Sequence, residues 1–299
     1  DTTLHEGLAG SFVGRQGDWF IMAGGSSFPE GKPWENGTKR FSDKIFIFSQ
    51  QADGTFSMVY EGNDLPLPLA EGAYASIPGG LLCMGGQTPK GITAESWLLS
   101  FDGSRVTVTP LPLPVKNATA TLIGSRVYLL GGELADGTSS NQFLALDTDD
   151  AQAGWLPLPH FPLPVSGSTI TAQQDGEGIS LYVFGGRAKV NNEATTSFYP
   201  TVYHYRPSPG SWSQKRDIQL KNEEPLPLAM ATASSVGGSH ILLYGGDNGD
   251  VFNRVEAAIH SGELQARDSL WMNHPGFNRR ILVYNTITDS WFVAGETKN

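Results

Sequence analysis

Short apolar runs that close on two glycines recur along the chain. WFIMAGG ends at Gly24-Gly25, GLLCMGG at Gly85-Gly86, VYLLGG at Gly131-Gly132, LYVFGG at Gly185-Gly186 and HILLYGG at Gly245-Gly246. The pairs stand 61, 46, 54 and 60 residues apart. An uninterrupted apolar run of this length, bounded by turn formers, predicts a strand buried on both faces. Before each run lies a segment of small and β-branched residues, predicting an inner strand at 8–13, 73–77, 118–123, 168–172 and 231–236. After each glycine pair a polar loop leads to a third strand, at 44–48, 96–100, 142–146, 201–205 and 280–284. Aromatic residues then mark an outer strand at Phe56, Trp155, Trp212 and Trp291.

The connections repeat as well: LPLPL at 65–69, LPLPV at 111–115, FPLPV at 161–165 and PLPL at 225–228. Proline there fixes an extended crossing and cannot continue a ladder. A four-strand unit cannot bury both of its faces alone, so copies must stack. The chain is therefore expected to be all-β, a single β-propeller domain over 1–299. Five four-stranded blades are visible, at about 6–64, 70–110, 115–159, 165–220 and 228–296. The glycine pair is expected to end each buried strand where positive φ is needed. No helix is expected directly after any pair, and no GxxxxGK[ST] phosphate loop is present.

Composition narrows the picture. The 299 residues include 36 glycines and 19 prolines but only 17% charged residues, the balance of a turn-rich β protein. A net charge of −10 argues against nucleic-acid binding and gives no attraction to an acidic membrane surface. No apolar stretch approaches bilayer length. Cys83 is the one cysteine and reads as a small core residue. The histidines at 5, 160, 204, 240, 260 and 274 show no metal-ligand spacing, so no metal and no cofactor is expected.

The strand, glycine pair, loop, strand, turn and tryptophan order resembles the Kelch repeat. Two longer stretches are more specific. One is AGGSSFPEGKPWENGTKR at residues 23–40, running into DKIFI at 43–47. The other is GGDNGDVFN at 245–253, with a polar insertion, then FNRRILVY at 277–284. Together they resemble the cyclically permuted branch of the sialic-acid mutarotase (N-acetylneuraminate epimerase) family, over nearly the whole chain. The resemblance implies a six-bladed propeller that interconverts the anomers of N-acetylneuraminate. It also implies a base, an acid and a carboxylate-binding arginine. In the family, a Gly-Glu after the second strand of one blade is followed six residues on by Arg. No position here matches both. The nearest is Gly132-Glu133, with Ser139 where the arginine is expected. Three explanations stay open: a piece lacking the sixth blade, a closed five-bladed propeller that lost the reaction, or chemistry rebuilt from other loops.

In such blades the loops after the second strand and those before the first open on one mouth. Glu133 is the catalytic candidate. Arg187, directly after its glycine pair, suits bidentate capture of a carboxylate. Lys39 and Arg40 line the rim or stay within the long first loop. Trp34 offers a flat face to a sugar or anchors that loop. Glu35, Gln87, Asn117, Asp247, Asn248 and Arg254 complete the ligand set, although Asx residues at 247 and 248 also suit local turn closure. The insertion at 255–277 is read as short helices at 256–259 and 264–266, capping the mouth or merely lying on the surface. The expected ligand is a small acidic sugar of the sialic acid class. The alternative is a non-catalytic propeller that binds carbohydrate or a protein partner. The start at Asp1 fits either a mature terminus after cleavage of a leader or an arbitrary boundary of the chain; on the first reading the protein is expected to be periplasmic or secreted.

Overall fold

The repeated strand pattern forms five four-stranded antiparallel sheets, each a simple meander in sequence order. The computed structural model describes residues 7–62, 65–189 and 195–297. The blades run Phe12–Gln16, Trp19–Ala23, Ile45–Gln50 and Phe56–Gly62; then Ala73–Ile77, Gly80–Thr88, Gly91–Leu99 and Arg105–Val108. The third has Thr119–Ile123, Arg126–Leu130, Phe143–Asp147 and Leu156–Pro157. The fourth has Thr169–Gln174, Ile179–Phe184, Val202–Arg206 and Ser211–Lys215. The fifth has Ala229–Val236, His240–Asp247, Arg280–Asn285 and Ser290–Glu296. The all-β propeller architecture with five four-stranded blades thus stands.

Contacts divide the chain into two compact units. The first comprises Asp1–Leu129, Glu133–Asp136 and Leu144–Pro157; the second comprises Leu130–Gly132, Gly137–Phe143 and Leu158–Asn299. In the first unit, alternate residues of Gly80–Thr88 serve two cores. Leu81 and Cys83 pack with Phe12, Ile21, Ile45 and Ile47, whereas Leu82 and Met84 pack with Val127, Leu129, Leu144 and Leu146. This is why the run is apolar without alternation. Burial also pushes the Cys83 thiol well above its ordinary range, as befits a core residue. In the second unit Tyr182, Phe184 and Val202 meet Ile241, Leu243, Leu282 and Tyr284.

The glycine pairs have a more specific role than positive φ alone. The second glycine donates its N–H to the last carbonyl of the linker entering the following blade. These bonds are Gly25 to Leu69, Gly86 to Val115, Gly132 to Val165 and Gly186 to Leu228, each 2.8 Å. The first glycine makes room for the same carbonyl. A Cβ added at Gly24, Gly85, Gly131 or Gly185 would lie 2.3, 2.5, 2.2 or 1.9 Å from it. At Gly245 an added Cβ meets nothing within 4 Å among the described residues. The outer tryptophans work in the opposite direction. The Trp155 indole N–H donates to Thr109 O at 3.2 Å, Trp212 to Pro159 O at 3.0 Å and Trp291 to Arg216 O at 3.4 Å. Each acceptor lies in the blade before.

Four expectations need correction. The first inner strand is Phe12–Gln16 rather than 8–13, because Ala9 is drawn into a separate bridge with Ser26. The glycine pair does not end the second strand in blades two and five. Gly80–Thr88 and His240–Asp247 run through it, the former with a bulge between Met84 and Gly86. In blade two the third strand also starts early, at Gly91 rather than 96, since Thr88 pairs Gly91 in a tight hairpin. Finally, a helix does follow the fifth pair: α1 spans Asp250–Ser261 and α2 spans Leu264–Met272, both longer than the segments expected. Gly249 at φ +85° turns the chain directly into α1, and the N–H of Asp250 is met by Asn248 Oδ1 at 3.1 Å. Among the described residues no helix is long and apolar enough to cross a membrane.

Candidate functional site

At one end of every blade, the residue entering the inner strand pairs with the residue after the glycine pair. The pairs are Ala9–Ser26, Ala70–Gln87, Lys116–Glu133, Ser166–Arg187 and Ala229–Asp247. The next residue is left-handed in each case: Gly10, Glu71, Asn117, Gly167 and Met230, with φ between +53° and +67°. That turn aims its N–H at the preceding blade. Glu71 N donates to Gly10 O at 2.8 Å, Asn117 N to Glu71 O at 2.6 Å and, in the second unit, Met230 N to Gly167 O at 2.7 Å. A side chain in this conformation costs about 1–2 kcal/mol. Glutamate at 71, where two other blades use glycine, is held there by what its carboxylate contacts.

Those contacts form a charge ladder within the first unit. Lys39 Nζ bonds one Glu71 oxygen. Lys116 Nζ lies 3.6 Å from the other and 3.2 Å from Glu133 Oε1. Side-chain exposures of 20% for Glu71, 21% for Lys116 and 24% for Glu133 place the ladder half out of water, where such pairings are stronger than at an open surface. Two carboxylates sharing one ammonium can accept and return protons side by side. Lys39 also lies over the Phe41 ring, 5.1 Å from its centroid.

The second unit holds Arg187. Its guanidinium stands 4.5 Å from the centroid of Phe252 on α1 and 6.0 Å from that of Phe198. Asp247 Oδ1 accepts from Gly249 N at 2.9 Å, so Asp247 and Asn248 serve the local turn before α1. Both also border a cavity of ≈ 550 Å³ with Glu223, Glu224, His274 and Phe277. Arg254 is exposed and lies 3.9 Å from Asp250, one turn earlier on the helix.

The remaining predicted residues are local. Trp34 sits in the single turn Pro33–Glu35, with Lys32 Nζ 5.4 Å over its ring, and Glu35 Oε2 accepts from Lys32 N at 2.9 Å. Arg40 lies in the short strand Arg40–Phe41 opposite Ser27. Gln87 Nε2 donates to Thr88 O at 3.1 Å. Asn117 contributes its backbone to the left-handed chain described above. Ser139, where a family arginine is expected, has its hydroxyl 3.5 Å from that of Ser166. His5 and Glu6, before the first inner strand, and residues 190–192, in the loop after the fourth glycine pair, belong to the two groups of loops expected at the mouth but lie outside the described residues. Glu71 and Lys116 lie in the loops before inner strands that the sequence placed at the mouth, yet it gave them no role, and it missed Phe198, Phe252 and Glu256. The available signal was positional: residues 71 and 117 occupy equivalent places in neighbouring repeats, which puts their neighbours within side-chain reach.

Comparison with known proteins gives one family name throughout. The family model described as N-acetylneuraminate epimerase matches residues 109–298. The chain is 30% identical over 197 residues to the N-acetylneuraminate epimerase of Vibrio vulnificus (strain YJ016), covering 62% of this chain and 48% of that protein. It is 26% identical over 207 residues to the enzyme of the same name from Salmonella arizonae, covering 66% and 50%. For that of Salmonella enteritidis PT4 the figures are 25% over 205 residues, 66% and 50%. The chain spans about half the length of the curated relatives it matches, and the loop at 23–40 falls outside the segment that the family model matches. The chain belongs to the N-acetylneuraminate epimerase family.

Proposed function

We propose that this protein binds an acidic monosaccharide of the sialic acid class and interconverts its anomers. The observation that carries the reading is the pair of carboxylates, Glu71 and Glu133, on the single ammonium of Lys116. Ring opening needs one group to take the proton of the anomeric hydroxyl while the ring C–O bond breaks. The electron pair of that bond goes to the ring oxygen, which takes a proton from a second group. Closure on the other face reverses both transfers, so atoms and electrons balance without an oxidant. In this reading Glu133 is the base and Lys116 orients it. A periplasmic or secreted location belongs to the same proposal.

Exchange between the two anomers of N-acetylneuraminate, followed by two-dimensional NMR, tests it. The expected result is exchange faster than in buffer, lost by roughly 100-fold or more in Glu133→Gln, the usual weight of a general acid or base. Exchange at the buffer rate with abundant protein would reject catalysis. One observation favours a second reading, a propeller that binds without turnover: Ser139 stands in the place of the family's arginine. Titration with N-acetylneuraminate separates the two, since binding without exchange supports the second alone.

A further inference from the structure

Helix α1 interrupts the last blade yet touches the loop of the blade before it through three consecutive residues of one face. Gly249 seats the helix start on Phe198, where an added Cβ would lie 2.5 Å from the ring. Phe252 packs edge-on against Phe198 at 5.5 Å and stands 4.5 Å from the Arg187 guanidinium. Glu256 receives Lys189 Nζ at 3.2 Å on one oxygen and the Thr196 N–H at 2.8 Å on the other. The spacing of 249, 252 and 256 places all three on one side of the helix. Val251, Val255 and Ala258, each under 9% exposed, anchor the adjacent stripe.

We infer that Phe252 is a positioning residue for Arg187, and that α1 thereby sets how strongly the protein prefers a carboxylate-bearing ligand. A guanidinium held against an aromatic face donates from its edge, the geometry a carboxylate takes bidentately. Lys189 binds Glu256 and so ties the helix to the same loop. This inference rests on the reading that the ligand is an acidic sugar.

The test uses Phe252→Leu, which keeps the bulk and loses the π face, and Phe252→Tyr, which keeps both. The first readout needs no ligand. In protein carrying isotope-labelled arginine, the Arg187 side-chain resonances are expected to show a ring-current shift in the wild type and in F252Y, and to lose most of it in F252L, where only the more distant Phe198 ring remains. The second readout is affinity for N-acetylneuraminate and for its uncharged methyl ester. F252L is expected to weaken the acid about 3- to 10-fold and leave the ester unchanged, with F252Y restoring the wild-type preference. Unshifted Arg187 resonances in the wild type would overturn the inference. So would a lost shift with unchanged affinity for the acid, or equal weakening of acid and ester. If the wild type binds neither sugar, the acidic-sugar reading fails and the preference assigned to α1 falls with it, while the ring-current result still decides whether Phe252 holds Arg187.

Discussion

Replacing Gly185 by alanine and, separately, Gly245 by alanine isolates what the glycine pair does. Both residues are left-handed, with φ of +56° and +65°, so each alanine costs about 1–2 kcal/mol in backbone strain. There the similarity ends. At Gly185 the new methyl would lie 1.9 Å from Leu228 O and 3.2 Å from Tyr199 O. The linker must retreat by about 1 Å, weakening the 2.8 Å bond from Gly186 N, and such overpacking adds roughly 2–4 kcal/mol. At Gly245 the methyl has open space among the described residues. Urea unfolding of the two variants is the assay, with melting temperature as a second measure at roughly 2 °C per kcal/mol for a chain of this size. G185A is expected to fall several degrees further than G245A. Equal losses would refute the argument that the pair exists to admit a neighbouring carbonyl, leaving backbone conformation as its whole explanation.

Trp212→Phe keeps an aromatic among Phe143, Phe161 and Tyr205 but removes the donor to Pro159 O, so a loss of about 1 kcal/mol by urea unfolding is expected, and none would show that the indole N–H is idle. Stability should also fall as pH drops from 8 to 5, through His204. Burial and then Lys215 lower its pKa below 6.5, while Asp175, 3.1 Å away, opposes this. The unfolded chain therefore takes up a proton first, and folded stability declines below about pH 6.5. Burial pushes the Asp175 carboxyl up, but N–H groups of Glu177 and Gly178, Arg206 and the Ser180 hydroxyl outweigh it and hold it well below 3.8, so its share is lost only in stronger acid. Urea midpoints at pH 8, 6 and 5 check this: His204→Gln should flatten the slope, and an equally steep slope in that variant would exclude His204 as its source.

The fold was legible because its signals were local. Buried strands wrote themselves as apolar runs, and the third strands at 142–146, 201–205 and 280–284 fall within a residue of those found. What the sequence hid was set by distant partners. Ala9 pairs with Ser26 rather than extending its strand, and nothing in its neighbours says so. The reach of α1 was understated because its start depends on Gly249 fitting under Phe198, a residue more than fifty positions earlier. Reading loops one at a time singled out Glu133 but not the ladder that joins it to Lys116 and Glu71. That ladder exists only once left-handed turns stack consecutive blades by backbone bonds.

The tryptophan latches and the glycine sockets share a polarity. A blade's indole reaches back to its predecessor, and its own socket waits for the linker that comes next. Where both devices are present, a sheet is thus held by parts of the chain synthesised after it. On a ribosome each new repeat would clamp and cover the last as it emerges, so assembly has a built-in direction.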